Sequence, residues 1–175
     1  MKGFFQNCSN LYSIDLSNFD NTDITDISYM FNLCHKLKEI KGLNKFNSSN
    51  INNIAAMFHC CYELEYLDLS NFETDSVIDM SHMFNKCHKL KEIKGLNLFK
   101  TNKVINMSSM FQECKNLEYL DLSYFNTSNV FDMSSMFNQC HKLKEIKGIN
   151  KFKTKKVTNM CSMFQECEEL ELLDL

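Results

Sequence analysis

The sequence has no proline, no tryptophan and no arginine, and only four glycines among its 175 residues. Without arginine there is no planar guanidinium to read phosphate or guanine bidentately, and all 19 cationic side chains are lysines. A formal net charge of −3 adds no bulk positive field, so nucleic acid and anionic membrane surfaces are disfavoured as partners. So few glycines leave no Gly-rich phosphate loop, and no nucleophile elbow is present. No apolar run approaches the ~20 residues of a membrane-spanning helix. The start, MKGFFQNCSN, lacks the apolar stretch of a signal peptide. The bias toward Asn, Lys, Ile and Phe over Arg, Pro, Trp and Ala is that of an AT-rich coding sequence.

What is present is repetition. The phrase CHKLKEIKGLN begins at Cys34 and Cys87 and returns as CHKLKEIKGIN at Cys140. The dipeptide Met-Phe starts at Met30, Met57, Met83, Met110, Met136 and Met163, at intervals of 27, 26, 27, 26 and 27 residues. A cysteine follows three residues after each Phe: Cys34, Cys61, Cys87, Cys114, Cys140 and Cys167, with Cys8 extending the column. The consensus is L-x-x-L-x-L-x-x-F-x-T-x-x-V-x-x-M-S-x-M-F-x-x-C, in units of alternating length that form 53-residue superrepeats.

Each unit divides in two. LEYLDLS, with Leu117, Leu120 and Leu122, reads as one strand. DMSSMFNQC places Met133, Met136, Phe137 and Cys140 at i, i+3, i+4 and i+7, the pattern of one helical face. Asp132, and Asp26, Asn53, Asp79, Asn106 and Asn159 in the same column, stand where a helix N-cap belongs. No single unit has enough apolar surface to offset the entropy of ordering it, so stacking is obligatory. The expected fold is α/β: a solenoid of 26/27-residue units, with a parallel sheet on one face and short helices on the other.

The core L-x-x-L-x-L resembles a leucine-rich repeat, and LDLSNFETDSVIDMSHMFNKC (Leu67–Cys87) resembles the BspA-like leucine-rich repeats of bacterial and protist surface proteins. The resemblance spans essentially the whole chain. Phe19, Phe72 and Phe125 stand where leucine-rich repeats usually place an asparagine, so a phenylalanine column is expected to replace the asparagine ladder. The resemblance implies a cell-surface or extracellular module, recognising protein or glycan through its strand face. An intracellular scaffold or structural spacer is the alternative, favoured mildly by an odd number of cysteines.

The alternation of phrases has an electrostatic logic. Between the last two apolar strand positions the column reads Asp15, Lys41, Asp68, Lys94, Asp121, Lys147, Asp174. A second column reads Lys38, Glu65, Lys91, Glu118, Lys144, Glu171. Identical units in register would set like charges ~4.8 Å apart, and alternation sets opposite charges side by side at each step. Gly42, Gly95 and Gly148 account for the extra residue of the longer units, as a bulge or turn with positive φ.

Chemical constellations are sparse. The cysteine column lies on an apolar face and reads as stacked core thiols rather than disulfides, while Cys60 and Cys161 lie off it and are expected to be exposed and reactive. Ten of the eleven methionines fall in two columns and read as core filler. His35, His88 and His141 recur in every second unit, ~10 Å apart, too far to share a metal ion, and are expected to be solvated. No zinc-type spacing exists, so neither metal nor cofactor is expected. Every candidate catalytic group is repeated, whereas an active site needs one special arrangement; no enzyme is expected. Sequons at Asn7, Asn47, Asn106 and Asn126 are no more frequent than this composition gives by chance.

Recognition in such an array belongs where units depart from consensus. Leu98 and Tyr124 intrude into a polar column (Asn18, Lys45, Asn71, Lys151); Phe131 stands where other units have Thr25, Asn52 or Thr158; Tyr66 and Tyr119 occupy the place of Glu39, Glu92 and Glu145. These five exposed apolar groups are the candidate partner-binding residues. The chain reads as a single repeat domain, 1–175, of six to seven units, cut from a longer array without terminal caps or capped by end-to-end self-association.

Overall fold

The structure, a computed structural model, describes residues 1–175. Six three-residue strands follow the leucine phrases: β1 (Ser13–Asp15), β2 (Glu39–Lys41), β3 (Tyr66–Asp68), β4 (Glu92–Lys94), β5 (Tyr119–Asp121) and β6 (Glu145–Lys147). They pair in parallel and in register, Tyr66 beside Glu92 and Asp68 beside Lys94 in β3–β4, Tyr119 beside Glu145 and Asp121 beside Lys147 in β5–β6. The expected continuous sheet is therefore interrupted: β1–β2, β3–β4 and β5–β6 are three separate two-stranded sheets. The charged and glycine-bearing phrases of one superrepeat zip together, and the sheet opens before the next begins.

Each opening comes just after the strand that carries the extra residue. Gly42, Gly95 and Gly148 lie in the left-handed region at φ 74°, 86° and 85°, each turning its chain from a strand into a single 3-10 turn: Leu43–Lys45, Leu96–Leu98 and Ile149–Lys151. A Cβ on Gly95 would stand 2.5 Å from the Ser70 Cα of the preceding unit, so only glycine fits. Units without the glycine turn instead on an aspartate, whose carboxylate accepts the amide two residues on, as Asp68 does from Ser70 and Asp121 from Ser123, each at 3.0 Å. Two turn geometries alternate along the chain, and each two-stranded sheet joins one strand of each kind.

The opposite side carries no α-helix, correcting the helical expectation. The Met-Phe segments are chains of tight turns. The Met30, Asn32 and Cys34 amides donate three residues back, to the Ile27, Tyr29 and Phe31 carbonyls at 3.0–3.2 Å. The alternate amides, Tyr29, Phe31 and Leu33, donate sideways to Ala55, Met57 and His59 of the next unit, each at 2.9 Å. Left-handed residues four apart make this possible: Tyr29 and Leu33, then Ala56 and Cys60, His82 and Lys86, and so on through Ser162 and Glu166. The physical reason is spacing. Packed helices sit 8–10 Å apart, whereas strands sit ~4.8 Å apart, so helices would splay the coil. Turns allow the Phe5, Phe31, Phe58, Phe84, Phe111, Phe137 and Phe164 rings to stack at 5.4–5.8 Å, close to the strand spacing. The i, i+3, i+4, i+7 apolar pattern serves either geometry. The capping Asp and Asn residues hold the turns instead, Asp132 accepting from the Ser134 amide at 2.8 Å and Asn106 from Ser108 at 3.0 Å.

The core is one continuous apolar cluster of Leu, Ile, Met, Phe and Cys. Each column thiol from Cys34 onward donates to the phenylalanine carbonyl of the preceding unit, as Cys87 does to Phe58 at 3.1 Å and Cys140 to Phe111 at 3.0 Å. Burial pushes these thiols upward, Cys34 to about 11. The second phenylalanine column forms as expected, with Phe72, Phe99 and Phe125 rings 6.4 Å apart. The bonding of an asparagine ladder is performed two residues later. Buried Thr101 donates to the Asn126 carbonyl at 3.0 Å and accepts the Asn126 amide at 2.7 Å, and Thr74 and Thr127 do the same to Lys100 and Lys153.

Candidate functional site

The strand face is built from three exposed columns. Tyr66 and Tyr119 are the middle residue type of that face, 45% and 47% exposed, each in register with a glutamate of the paired strand. Around them the charges close into ion pairs: Lys91–Glu65 at 2.7 Å, Lys144–Glu118 at 2.9 Å, Lys94–Asp68 at 3.3 Å and Lys147–Asp121 at 3.2 Å. Every one of these pairs lies inside a two-stranded sheet. Alternation thus closes both columns across β3–β4 and β5–β6 and neither across β1–β2. Lys38 turns over the Tyr12 ring at 5.2 Å, and Lys41 pairs with Glu39 on its own strand at 3.7 Å. Hydrogen bonding and the charge of Lys91 hold the Glu65 carboxyl below its usual range, and Ser70 first, then Lys94, do so for Asp68.

The openings are clefts. Between β4 and β5 a groove of about 490 Å³ is lined by Lys91, Glu92, Lys94, Asn97, Tyr119 and Asp121, among others. A second occurs one superrepeat on, past β6, where Glu145, Lys147, Gly148 and Asn150 face Leu172 and Asp174. The aromatic position of one cleft is thus a leucine in the next.

The five candidate residues do not form one site. Tyr66 and Tyr119 share the strand face. Leu98 and Tyr124, 57% and 72% exposed, meet beyond the 3-10 turn in a separate cleft with Asn97, Lys100 and Asn102. Phe131 lies on a third surface, where its amide donates to the Ile105 carbonyl and the Ile105 amide to Ile78, both at 2.9 Å. Ile78, Ile105 and Phe131 are all exposed and make a short apolar stripe. Sequence reasoning found Phe131 and missed the two isoleucines, although the column Thr25, Asn52, Ile78, Ile105, Phe131, Thr158 was there to read.

On the turn side two expectations are corrected. Cys60 is buried, whereas Cys161 is exposed as expected. Tyr62 is pushed up to about 12, chiefly by its bond with Cys60 and then by burial. His35 and His88 are half-buried rather than solvated, stacked on the two faces of the Tyr62 ring at 4.8 Å, since coils this close bring rings in register together. His59 lies near His82, with ring centroids 6.1 Å apart, and burial first, then His82, lower it to about 4. No three His, Cys, Asp or Glu side chains converge as metal ligands.

Short parallel strand pairs, a stacked hydrophobic core and one open strand face define a leucine-rich-repeat solenoid. The sequence matches, over 1–97 and again over 88–173, the family described as Mycoplasma protein of unknown function, DUF285, and the chain belongs to that family. Its fold is similar to the leucine-rich-repeat protein of T. pallidum, with a TM-score of 0.65 at 19% identity, covering 97% of this chain and 70% of that one. A leucine-rich cell surface protein of Faecalibacterium prausnitzii A2-165 aligns with a TM-score of 0.36 at 15% identity, over 97% of this chain and 61% of that one. A search of curated proteins finds no match. No helix is long and apolar enough to cross a membrane.

Proposed function

We propose that the chain is a non-catalytic recognition module of a cell surface, one repeat domain of 26/27-residue units that binds protein or glycan partners through its strand face. The observation that carries this reading is the recurrence of Tyr66 and Tyr119, both exposed, at one register position of alternate units, with Tyr119 lining the groove between β4 and β5. Exposed tyrosines supply rigid contact area with a polar tip, the chemistry of binding hot spots. The repeated unit itself offers no asymmetric arrangement of acid, base and nucleophile, which supports recognition over catalysis. The resemblance of its repeat phrases to those of surface leucine-rich-repeat proteins supports the location.

The test is binding of the purified chain to intact cells and to surface-immobilised matrix proteins and glycans. Tyr66→Ala with Tyr119→Ala is expected to abolish binding that Ile105→Thr, on the opposite stripe, leaves intact. Equal binding by both variants contradicts the strand-face reading. A second reading, an intracellular scaffold, is favoured by the column of buried, hydrogen-bonded thiols, which suits a reducing compartment. Thiol titration of protein taken from its source separates them: oxidised Cys8 and Cys161, both exposed, favour the outside of the cell.

A further inference from the structure

On the turn side, and independently of the strand-face reading, we propose that His59 and His82 hold a divalent transition-metal ion of the imidazole-preferring class, Cu²⁺, Ni²⁺ or Zn²⁺. The two histidines come from neighbouring units, and each departs from its own column. His59 stands where other units have asparagine or glutamine, as at Asn32 and Gln112, and His82 where they have Tyr29, Ala56 or serine. Neither column holds a second histidine, yet the two departures meet.

The turn ladder brings them together. The Cys60 amide, one residue past His59, donates to the Asn85 carbonyl at 2.9 Å, and the Asn85 amide donates to the His82 carbonyl at 3.1 Å. The two rings stand with centroids 6.1 Å apart and planes at 52°. An ion ~2.1 Å from an imidazole nitrogen lies about 3.2 Å from that ring's centre, so two rings sharing one ion stand about 4.5–6.4 Å apart. The pair is within that range already. Two imidazoles without carboxylate or thiolate select borderline transition metals over Mg²⁺ and Ca²⁺, which take oxygen ligands.

The surroundings suit a ligand pair. Burial first, then the charge of His82, lowers His59 to about 4, and burial lowers His82, so at neutral pH protons do not compete for the ring nitrogens. His82 Nδ1 lies 2.9 Å from the Asn85 amide group, which leaves Nε2 as the free nitrogen. The Asn85 Oδ1 atom is buried without a partner. A half-turn of that amide sets its oxygen on Nδ1–H and leaves the lone pair on Nε2, the arrangement usual behind a metal-bound histidine. The amide ladder from Asn85 through Gln112 to Asn138 reverses with it, each bond running the other way. Asn32 Oδ1, on the other side of His59 in the same column, is also buried without a partner and can accept from a water bound to the ion. The positive charge of Lys86, which bears on His59, is opposed by Glu113 at 3.5 Å.

The experiment is calorimetric titration of the intact, untagged chain with Ni²⁺ and Zn²⁺ at neutral pH, with Mg²⁺ for comparison. The exposed Cys8 and Cys161 are first changed to serine, so that no free surface thiol competes. The proposal expects one Ni²⁺ or Zn²⁺ per chain and no response to Mg²⁺. His59→Asn and His82→Ser are each expected to weaken binding at least about tenfold. Both install residues already used in the same columns, and Ser109 holds the same left-handed φ of 55° as His82, so the fold is kept. His141→Lys, which installs the residue found at Lys115 in its column, is expected to bind as the parent does. The proposal is overturned by absence of both Ni²⁺ and Zn²⁺ binding or by equal binding of Mg²⁺. Binding that survives either substitution, an adventitious ion only, or an equal loss in His141→Lys overturns it as well.

Discussion

Thr101 shows how much one hydroxyl does in this fold. It is fully buried, gives its proton to the Asn126 carbonyl and takes the Asn126 amide, tying one unit to the next where no strand reaches. Thr101→Val keeps the shape and leaves the amide of Asn126 without its partner, so chemical denaturation is expected to show a loss of about 1–3 kcal/mol. His59 provides a second test. Its folded value of about 4 lies below the ordinary 6.5 because burial disfavours the imidazolium, so between those values the unfolded chain takes up a proton that the folded chain does not. Stability therefore falls as pH drops from 6.5 toward 4. His59→Asn installs the residue found at Asn32, Asn85 and Asn138 in the same column, and thermal melts across that window are expected to show a shallower decline for the variant. His82 and His88, also lowered by burial, account for the slope that remains.

At the scale of the element, the two halves of the superrepeat are distinguished by charge and by a single glycine. Lys91→Glu sets a carboxylate against Glu65, at a contact now made at 2.7 Å, and is expected to lower the melting temperature at low salt. Adding Glu65→Lys restores the pair and should recover most of the loss; a double variant as unstable as the single one contradicts the pairing. Gly95→Ala is expected to cost well over 1 kcal/mol in denaturation, since it combines a positive φ with a Cβ pressed on the Ser70 backbone. Much of this was legible beforehand. The leucine phrases announced the strands, the charge columns announced Lys91–Glu65 and Lys147–Asp121, and Gly95 announced its own positive φ. The turn ladder was not legible, because Met133, Met136, Phe137 and Cys140 satisfy a helical spacing and a turn spacing equally. What decides between them is the distance to the neighbouring unit, which a pattern within one unit does not contain. The open junctions were hidden for the same reason: the alternating lengths were visible, but which neighbouring strands stay bonded is a property of two units together. Of the candidate residues, Tyr66 and Tyr119 could be placed on one face by register alone, whereas Ile105 passed unnoticed because isoleucine suggests a core.

The whole molecule is held continuously on one side and intermittently on the other. Turn-side amides bond across every junction, and the phenylalanine stack runs through every unit from Phe5 to Phe164, while the strand side is joined only in pairs. The result is a continuous spine carrying a strand face that opens between one bonded pair and the next. The measurement that tests the strand-face reading most directly is binding of the intact chain to whole cells, compared with its Tyr66→Ala/Tyr119→Ala and Ile105→Thr variants. The account predicts that the double tyrosine variant loses binding that Ile105→Thr retains. Equal binding by all three, or loss only in Ile105→Thr, would contradict it.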